Sequence, residues 1–352
     1  MDKIGVLTSG GDCPGLNMAL DAILRQSQLN NLFPVGILQG TMGLLHRPIQ
    51  AHPLHEIVKN FGPDWSHQGG TILGSSNKGN PFAFTSPEGK VIDRSHEVID
   101  AIRKLDLTGL IAIGGDGSMD ILYRLSQRGD FPLIGIPKTI DNDVMGTDIA
   151  IGHDTAITVA TTALDYLRPT AASHQRAMIL EVMGRGTGHI ALSCGIAGGA
   201  QVILMPEIQP NMSKVISYLK NLRDNGQKSF LLVIAEGINL DYPAISTASD
   251  INVGHRLAKI VQQALGIESR ATILGHIQRG APPNARDRLL AAVLGSHAVT
   301  LARRGQWGHL VVWKNNRAGQ ISFGDLYRDP KQPSLNANLL TTAKELGICL
   351  GT

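Results

Sequence analysis

"LIAIGGDGSMD", residues 110–120, sets four apolar residues against a glycine-rich turn and then an acidic residue. The run "LIAI" has apolar side chains on both faces, as a strand buried on both sides of a parallel sheet requires. The glycines let the main chain turn sharply, and Ser118 is placed to begin the next helix. The same short, Gly- or Pro-bounded runs recur as "IGVL" (4–7), "VGIL" (35–38), "LIGI" (133–136), "MILEV" (178–182), "VILM" (202–205), "LLVI" (231–234), "TIL" (272–274) and "LVVW" (310–313). Between them lie stretches of helical period. "SHEVIDAIRKLDL" (95–107) aligns Val98, Ile99, Ile102 and Leu105, and "SKVISYLKNL" (213–222) aligns Val215, Ile216, Leu219 and Leu222. Alternating strands and helices predict an α/β fold, doubly wound, in which ligands bind at the carboxyl ends of the strands. At 352 residues the chain exceeds one compact core, so two Rossmann-like lobes with parallel-rich sheets and an active-site cleft between them are expected.

Composition narrows the function. Hydrophobic residues make up 43% and charged residues 17%, which excludes a disordered chain. The formal charge of +3 comes from scattered Lys and Arg residues, so no nucleic-acid partner is expected and small anionic ligands are. Cys13, Cys194 and Cys349 are odd in number and lack metal spacing, pointing to a reduced, cytoplasmic setting. The opening "MDKIGVLTSGG" runs straight into a strand-and-turn pattern, so no signal peptide is expected, and no apolar run reaches the roughly 20 residues of a membrane span.

Three stretches could carry chemistry. "SGGDCPGLN" (9–17) lets the backbone approach a ligand, with Asn17 placed to cap a helix whose N-terminus favours an anion. In "GGDGS" (114–118), Gly114, Gly115 and Gly117 can wrap a phosphate while Asp116 offers a hard oxygen ligand to Mg²⁺; the competing reading is a tight turn capped by Asp116. "PKTIDNDVMGTD" (137–148) crowds Asp141, Asp143 and Asp148 directly after an apolar run. If the chain stays extended, Asp141 and Asp143 share a face about 6.5–7 Å apart. At an effective dielectric near 20 they then repel by roughly 2.5 kcal/mol, a burden that a cation or a proton relieves. Phosphoryl transfer supplies both, and a solvated acidic turn needs neither.

Seven consecutive blocks, "SGGDCPGLN", "GGTILGSSN", "GGDGS", "PKTIDND", "SHQRAMILEVMGRGTG", "AEG" and "ILGHIQRGAPPNARDR", span residues 9–288 and resemble the 6-phosphofructokinase family in its own order. The resemblance implies Mg²⁺-dependent transfer of the γ-phosphoryl of ATP to the 1-hydroxyl of fructose 6-phosphate, in glycolysis. It implies that Asp141 is the base, with Thr139 and Lys138 as the other catalytic residues of that block, and that Asp116 and Asp143 attend the metal. Gly11, Asn77, Lys78, Gly115, Asp116, Gly117 and Ser118 fall where the family holds the nucleotide. The sugar phosphate falls to Thr139, Asp141, Asp143, Met183, Gly184, Arg185, Glu236, His276 and Arg279, with Arg176 and Arg270 reaching across a subunit interface. A homo-oligomer, by resemblance a tetramer, follows from that sharing. The implied lobes are a phosphoryl-donor lobe of residues 1–150 and 279–328 and a sugar-phosphate lobe of residues 151–278 and 329–352.

Departures from the family pattern bear on the donor and on regulation. Gly117 leaves room for an α-phosphate where pyrophosphate-using members carry Asp, whereas Lys138 is the residue those members carry. Gly117 acts by exclusion and decides for ATP; pyrophosphate dependence is the alternative, and a catalytically silent sugar-phosphate-binding subunit the second. Asn77 and Lys78 stand where many bacterial members place an arginine, with Lys78 a point-charge substitute. Arg25 and Arg168 match a basic effector site, but Asp21 replaces a further arginine, which weakens the case for ordinary nucleotide regulation.

Overall fold

The computed structural model describes residues 2–76, 80–240, 252–328 and 334–352. Its strands are β1 (Asp2–Ser9), β2 (Leu32–Ile37), β3 (Ala51–Pro53), β4 (Phe84–Thr85), β5 (Val91–Ile92), β6 (Gly109–Gly114), β7 (Leu133–Pro137), β8 (Ala177–Val182), β9 (Val202–Leu204), β10 (Phe230–Ala235), β11 (Ser269–Ile273), β12 (His309–Lys314) and β13 (Arg317–Ser322). The chain divides into two compact units, Met1–Thr155 with Arg279–Pro333 and Ala156–Gln278 with Ser334–Thr352. No helix among the described residues is long and apolar enough to cross a membrane.

In the larger unit the strand order is β13-β12-β7-β6-β1-β2-β3. Strands β2, β1, β6, β7 and β12 run parallel, and β3 and β13 close the two edges antiparallel. From β1 the chain crosses to β2 on one side, then returns to β6 and β7 on the other. The crevice at the carboxyl ends of β1 and β6 is therefore the topological switch point, where this architecture places ligands. The helix Ser95–Lys104 buries Val98, Ile99 and Ile102 against one face of that sheet, together with Leu7, Leu110 and Leu310. Each such side chain contributes about 1.5–3 kcal/mol on burial, an upper bound because the unfolded chain already hides some apolar surface.

The smaller unit has a fully parallel sheet in the order β11-β8-β10-β9. Helices Met212–Asp224 and Val253–Leu265 pack Val215, Ile216, Leu219, Leu257, Ile260 and Val261 onto Ile179, Val202, Leu232 and Ile234. The antiparallel pair β4–β5 forms a separate small hairpin.

Two local expectations fail here. Asn17 does not cap the helix Leu16–Leu29; it lies inside it, and the N-cap is Gly15 at φ 97° with no side-chain cap. That left-handed turn starts the helix two residues early, freeing the Asn17 amide to donate to the carbonyl of Gln68 at 3.2 Å and to accept from Ile72 N at 2.9 Å. The helix after β6 likewise begins at Asp116, behind an extended Gly115, and not at Ser118.

A buried carboxylate that periodicity does not reveal ties the larger unit together. Asp287, with no exposed surface, accepts from Gly152 N (2.9 Å), Thr155 N (2.8 Å) and Thr155 Oγ1 (2.5 Å). Its own N–H donates to Asn284 Oδ1 at 3.0 Å, which caps the helix Ala285–Arg303. Burial raises the Asp287 carboxyl above its ordinary range, and these hydrogen bonds pull it back down. The segment it holds backs the loop after β7: Thr139 N donates to Ile151 O (3.1 Å), and His153 Nδ1 lies 2.6 Å from Ile140 O. Asp287→Ala strands three buried donors and is expected to lower unfolding free energy by roughly 3–5 kcal/mol. Urea denaturation reads this directly; an unchanged midpoint would remove Asp287 from that role.

Candidate active site

In the larger unit, three strand ends meet at the switch point. After β1, Gly10 takes φ 82° and the chain exposes the carbonyls of Gly10, Gly11 and Asp12 to side chains. The Ser75 hydroxyl donates to Gly10 O, the Lys138 ammonium to Gly11 O, and Arg279 Nη1 to Asp12 O at 3.2 Å. A side chain on Gly11 would overlap the Arg279 guanidinium, and one on Gly10 would lie 2.9 Å from Ser118 Oγ and 3.3 Å from Lys138 Nζ. Gly10, Gly11, Ser118, Lys138 and Arg279 are thus one cluster. Gly115 borders it, with the Lys138 carbonyl 3.5 Å from where its Cβ would be. A Cβ added to Gly117 meets nothing within 4 Å, so that edge is open space.

The charges in this cluster are fixed by burial. Lys138 is 3% exposed, and burial lowers its ammonium below the ordinary lysine range, an effect that Asp12 and Asp143 oppose. Burial also pushes the Cys13 thiol up to about 12, and its Sγ donates to Ile151 O at 3.2 Å, so it is an inert packing group. Half-buried Asp116 sits in the first turn of its helix, where the dipole favours a negative charge. Its carboxyl is nevertheless raised, first by burial and then by Asp143 and Asp120.

That unmet demand for positive charge is the test of a metal here. Among the described residues no group of three or more His, Cys, Asp or Glu side chains forms a metal cage. A magnesium ion that arrives with substrate phosphates needs only one or two carboxylates, and Asp116 with Asp143 fits that donor set.

The loop after β7 is not extended, contrary to the premise used to pair Asp141 with Asp143. Asn142 takes φ 54°, turning the chain between them, and its side chain fixes the turn by accepting from Ala150 N (2.9 Å) and donating to Asp148 O (3.2 Å). Asp141 is consequently 6% exposed while Asp143 stays half-exposed. Thr139 Oγ1 accepts from Asp141 N at 3.1 Å, tethering the two residues. Asp148 leaves the group: it is exposed, and its carboxylate accepts from Asn315 N (2.9 Å) at the turn joining β12 to β13.

In the smaller unit, β8 lies between β10 and β11, so the loops that follow these strands share one carboxyl edge. Gly184 (φ 158°) and Arg185 (φ 54°) bend the chain after β8, and Glu236 Oε1 accepts from Arg185 N at 3.0 Å. Any side chain at Gly237 would overlap the Arg185 carbonyl. Met183 N donates to Gln278 Oε1 at 2.8 Å; Gln278 is fully buried and was not singled out in the sequence, although it lies inside "GHIQRG". His276 and Arg185 are exposed on this edge.

Arg176 and Arg270 lie at the opposite edge. Arg176 immediately precedes β8, and Arg270 is the second residue of β11. Both pair with Glu268, another residue the sequence reading passed over. Elsewhere, Arg25 Nε lies 2.9 Å from both oxygens of Asp21, so the residue that departs from the family also engages its neighbouring arginine, and Arg168 donates to Gly198 O. Asn77 and Lys78 lie outside the described residues.

Comparison with known proteins identifies the family. The sequence profile described as phosphofructokinase matches residues 3–302. "ATP-dependent 6-phosphofructokinase 1" of Nostoc sp. is 44% identical over 356 residues, covering 99% of this chain and 98% of the relative. "ATP-dependent 6-phosphofructokinase" of Bacillus subtilis is 37% identical over 348 residues, covering 99% and 100%. Among solved structures, phosphofructokinase from Saccharomyces cerevisiae aligns with a TM-score of 0.77 at 26% identity, over 98% of this chain and 46% of that one. The pyrophosphate-dependent phosphofructokinase from Nitrosospira multiformis aligns with a TM-score of 0.81 over 99% and 89%, and at 18% identity it speaks for the fold alone. A full-length match of that strength, on a chain whose glycine loops and charged groups gather at the strand ends, places this protein in the phosphofructokinase family.

Proposed function

We propose that this chain is an ATP-dependent 6-phosphofructokinase, transferring the γ-phosphoryl group of ATP to the 1-hydroxyl of fructose 6-phosphate. The observation that carries the reading is the convergence of Ser118 and Lys138 on the Gly10–Gly11 backbone, beside a half-buried Asp116 whose carboxyl calls for a cation. Full-length relatives named as ATP-dependent enzymes support the same donor. The space beyond Gly117 supports it too, because a longer polyphosphate needs that room.

In this mechanism Gly11, Gly115, Gly117 and Ser118 cradle the donor phosphates. Asp116 and Asp143 would hold Mg²⁺, which when bound would neutralise charge on those phosphates. Asp141 takes the proton of the 1-hydroxyl as its oxygen attacks the γ-phosphorus and the bond to ADP breaks. Thr139 keeps the Asp141 backbone in place through its hydroxyl. Lys138, already donating to Gly11 O, shapes the donor loop from beneath. Arg279 does the same at Asp12 O, a placement that ties it to the donor side as well as to the sugar block from which it was inferred. Met183, Gly184, Arg185, Glu236 and His276 form the sugar face.

Subunit sharing follows from the smaller sheet. Arg176 precedes the six residues of β8, about 17 Å of strand from its carboxyl edge, and Arg270 is level with Met178, about 13 Å from that edge. One hexose phosphate cannot touch both edges of one sheet. Arg176 and Arg270 therefore serve the substrate of a second copy, and the working unit is a homo-oligomer.

Incubating the protein with Mg²⁺, fructose 6-phosphate and either ATP, ADP or pyrophosphate is expected to yield bisphosphate with ATP; product from pyrophosphate alone would overturn the donor assignment. Asp141→Ser is expected to cut kcat by roughly 10²- to 10⁴-fold with little change in KM for the sugar, and steady-state kinetics on the folded variant decide it. Sharing is tested by mixing refolded Asp141→Ser and Arg176→Ala chains at low fructose 6-phosphate. Hybrids carry one intact site, so activity should recover toward about a quarter of wild type; a mixture no better than its parents would mean that each chain works alone.

A further inference from the structure

We propose that Glu268 is a positioning residue for the sugar phosphate, setting the Arg176 and Arg270 guanidinium groups side by side to receive one phosphate; this rests on the reading of those two arginines given above. The backbone brings the three together. Ala177 N donates to Glu268 O at 3.0 Å, and Ser269 pairs with Ala177 where β11 meets β8, so Glu268 and Arg176 stand abreast just before the paired strands begin.

The side chains use that alignment. Arg176 places both Nε and Nη2 2.7 Å from Glu268 Oε2, while Arg270 Nη2 donates to Glu268 Oε1. Arg270 Nη1 also donates to Ser269 O at 3.3 Å. One carboxylate thus serves two guanidinium groups, one oxygen to each.

Counting donors separates positioning from competition. A guanidinium has five N–H donors. Each arginine commits two of them, which leaves three on each and six for a ligand. The charges sum to +1, two arginines less one glutamate, so the pair still attracts a phosphate dianion. Without the carboxylate, two like charges on neighbouring strands repel and swing apart, and a phosphate must then gather them at its own cost.

Nor is the bridge a stability element. The Arg176, Glu268 and Arg270 side chains are 28%, 39% and 58% exposed, a setting in which ion pairs add little to folding. Variants at Glu268 should therefore fold, and their effect should fall on substrate binding.

The experiment uses the full chain and fructose 6-phosphate as the varied substrate. Glu268→Gln keeps the shape but offers one acceptor and one donor, so it can hold only one arginine. It and Glu268→Ala are expected to raise KM for fructose 6-phosphate by roughly 5- to 20-fold. The wild-type kcat should hold within about twofold and the thermal midpoint should stay in place, a split that a merely structural role does not produce. In an Arg176→Ala background, Glu268→Ala should add less than about twofold, because only Arg270 is left and there is no pair to hold side by side. If Arg176→Ala and Arg270→Ala raise KM while the Glu268 variants do not, the positioning role is overturned and the arginine assignment stands. A lowered KM in Glu268→Ala overturns it as well, since the carboxylate would then be a competitor of the phosphate. Should the two arginine variants themselves bind the sugar as wild type does, the sugar-phosphate reading of this edge falls and takes the proposal with it.

Discussion

Charge held where water is scarce is the constraint on which the site depends. Asp116 carries the burden on the acidic side: burial, Asp143 and Asp120 all oppose its ionisation. Lys138 carries it on the basic side, with burial opposing its protonation. The two problems have different answers. Lys138 is satisfied within the protein by the Gly11 carbonyl and by nearby Asp12 and Asp143. Asp116 has the dipole of its own helix to set against burial and the like charges of Asp143 and Asp120, which leaves its carboxyl raised and receptive to a further positive charge. An ammonium fixed on the loop after β1 and a carboxyl raised by its acidic neighbours are compatible with a magnesium-bound polyphosphate.

The same arrangement settles a conflict between two sequence markers. Gly117 favours ATP, and Lys138 is the residue of pyrophosphate-using members of the family. With its ammonium on a backbone carbonyl and 3% of its surface exposed, Lys138 supports the loop between β1 and the first helix. Such a contact is indifferent to how many phosphates lie above the loop. Gly117 faces open space, and the steric argument attached to it keeps its force.

The parts of the fold legible in the sequence were those set by burial. Runs such as "LIGI" and "LLVI" are apolar on both faces because helices cover both faces, and each became a strand. β13 went unseen because "RAGQIS" is an edge strand held by its antiparallel pairing with β12, and that pairing leaves little hydrophobic signature. Local backbone handedness was also invisible. Neither the left-handed Asn142 nor the Gly15 cap follows from hydropathy, yet the first decides which way Asp143 points and the second moves Asn17 into the helix. Side chains that act on distant backbone escaped for the same reason. Gln278 on Met183 N and Glu268 between two arginines are products of tertiary proximity. Asp287 had one local sign, the Asn284-x-x-Asp287 spacing of a capping box, but nothing local announces its bonds to Gly152 and Thr155.

The departure at Asp21 has a consequence larger than a lost charge. Replacing an arginine by aspartate changes the local charge by two units, and the new carboxylate lies four residues from Arg25 on one helix face, where side chains meet. Arg25 Nε is 2.9 Å from each Asp21 oxygen. An anion approaching Arg25 therefore meets an occupied guanidinium edge and a repelling carboxylate together. Although Arg25 is exposed and the pair adds little to stability, the local field it presents is close to neutral. A basic effector pocket cannot be assembled around such a pair unless cations from elsewhere outweigh it, so the carboxylates of the loop after β7 and the near-neutral field at Arg25 are separable features of the same chain.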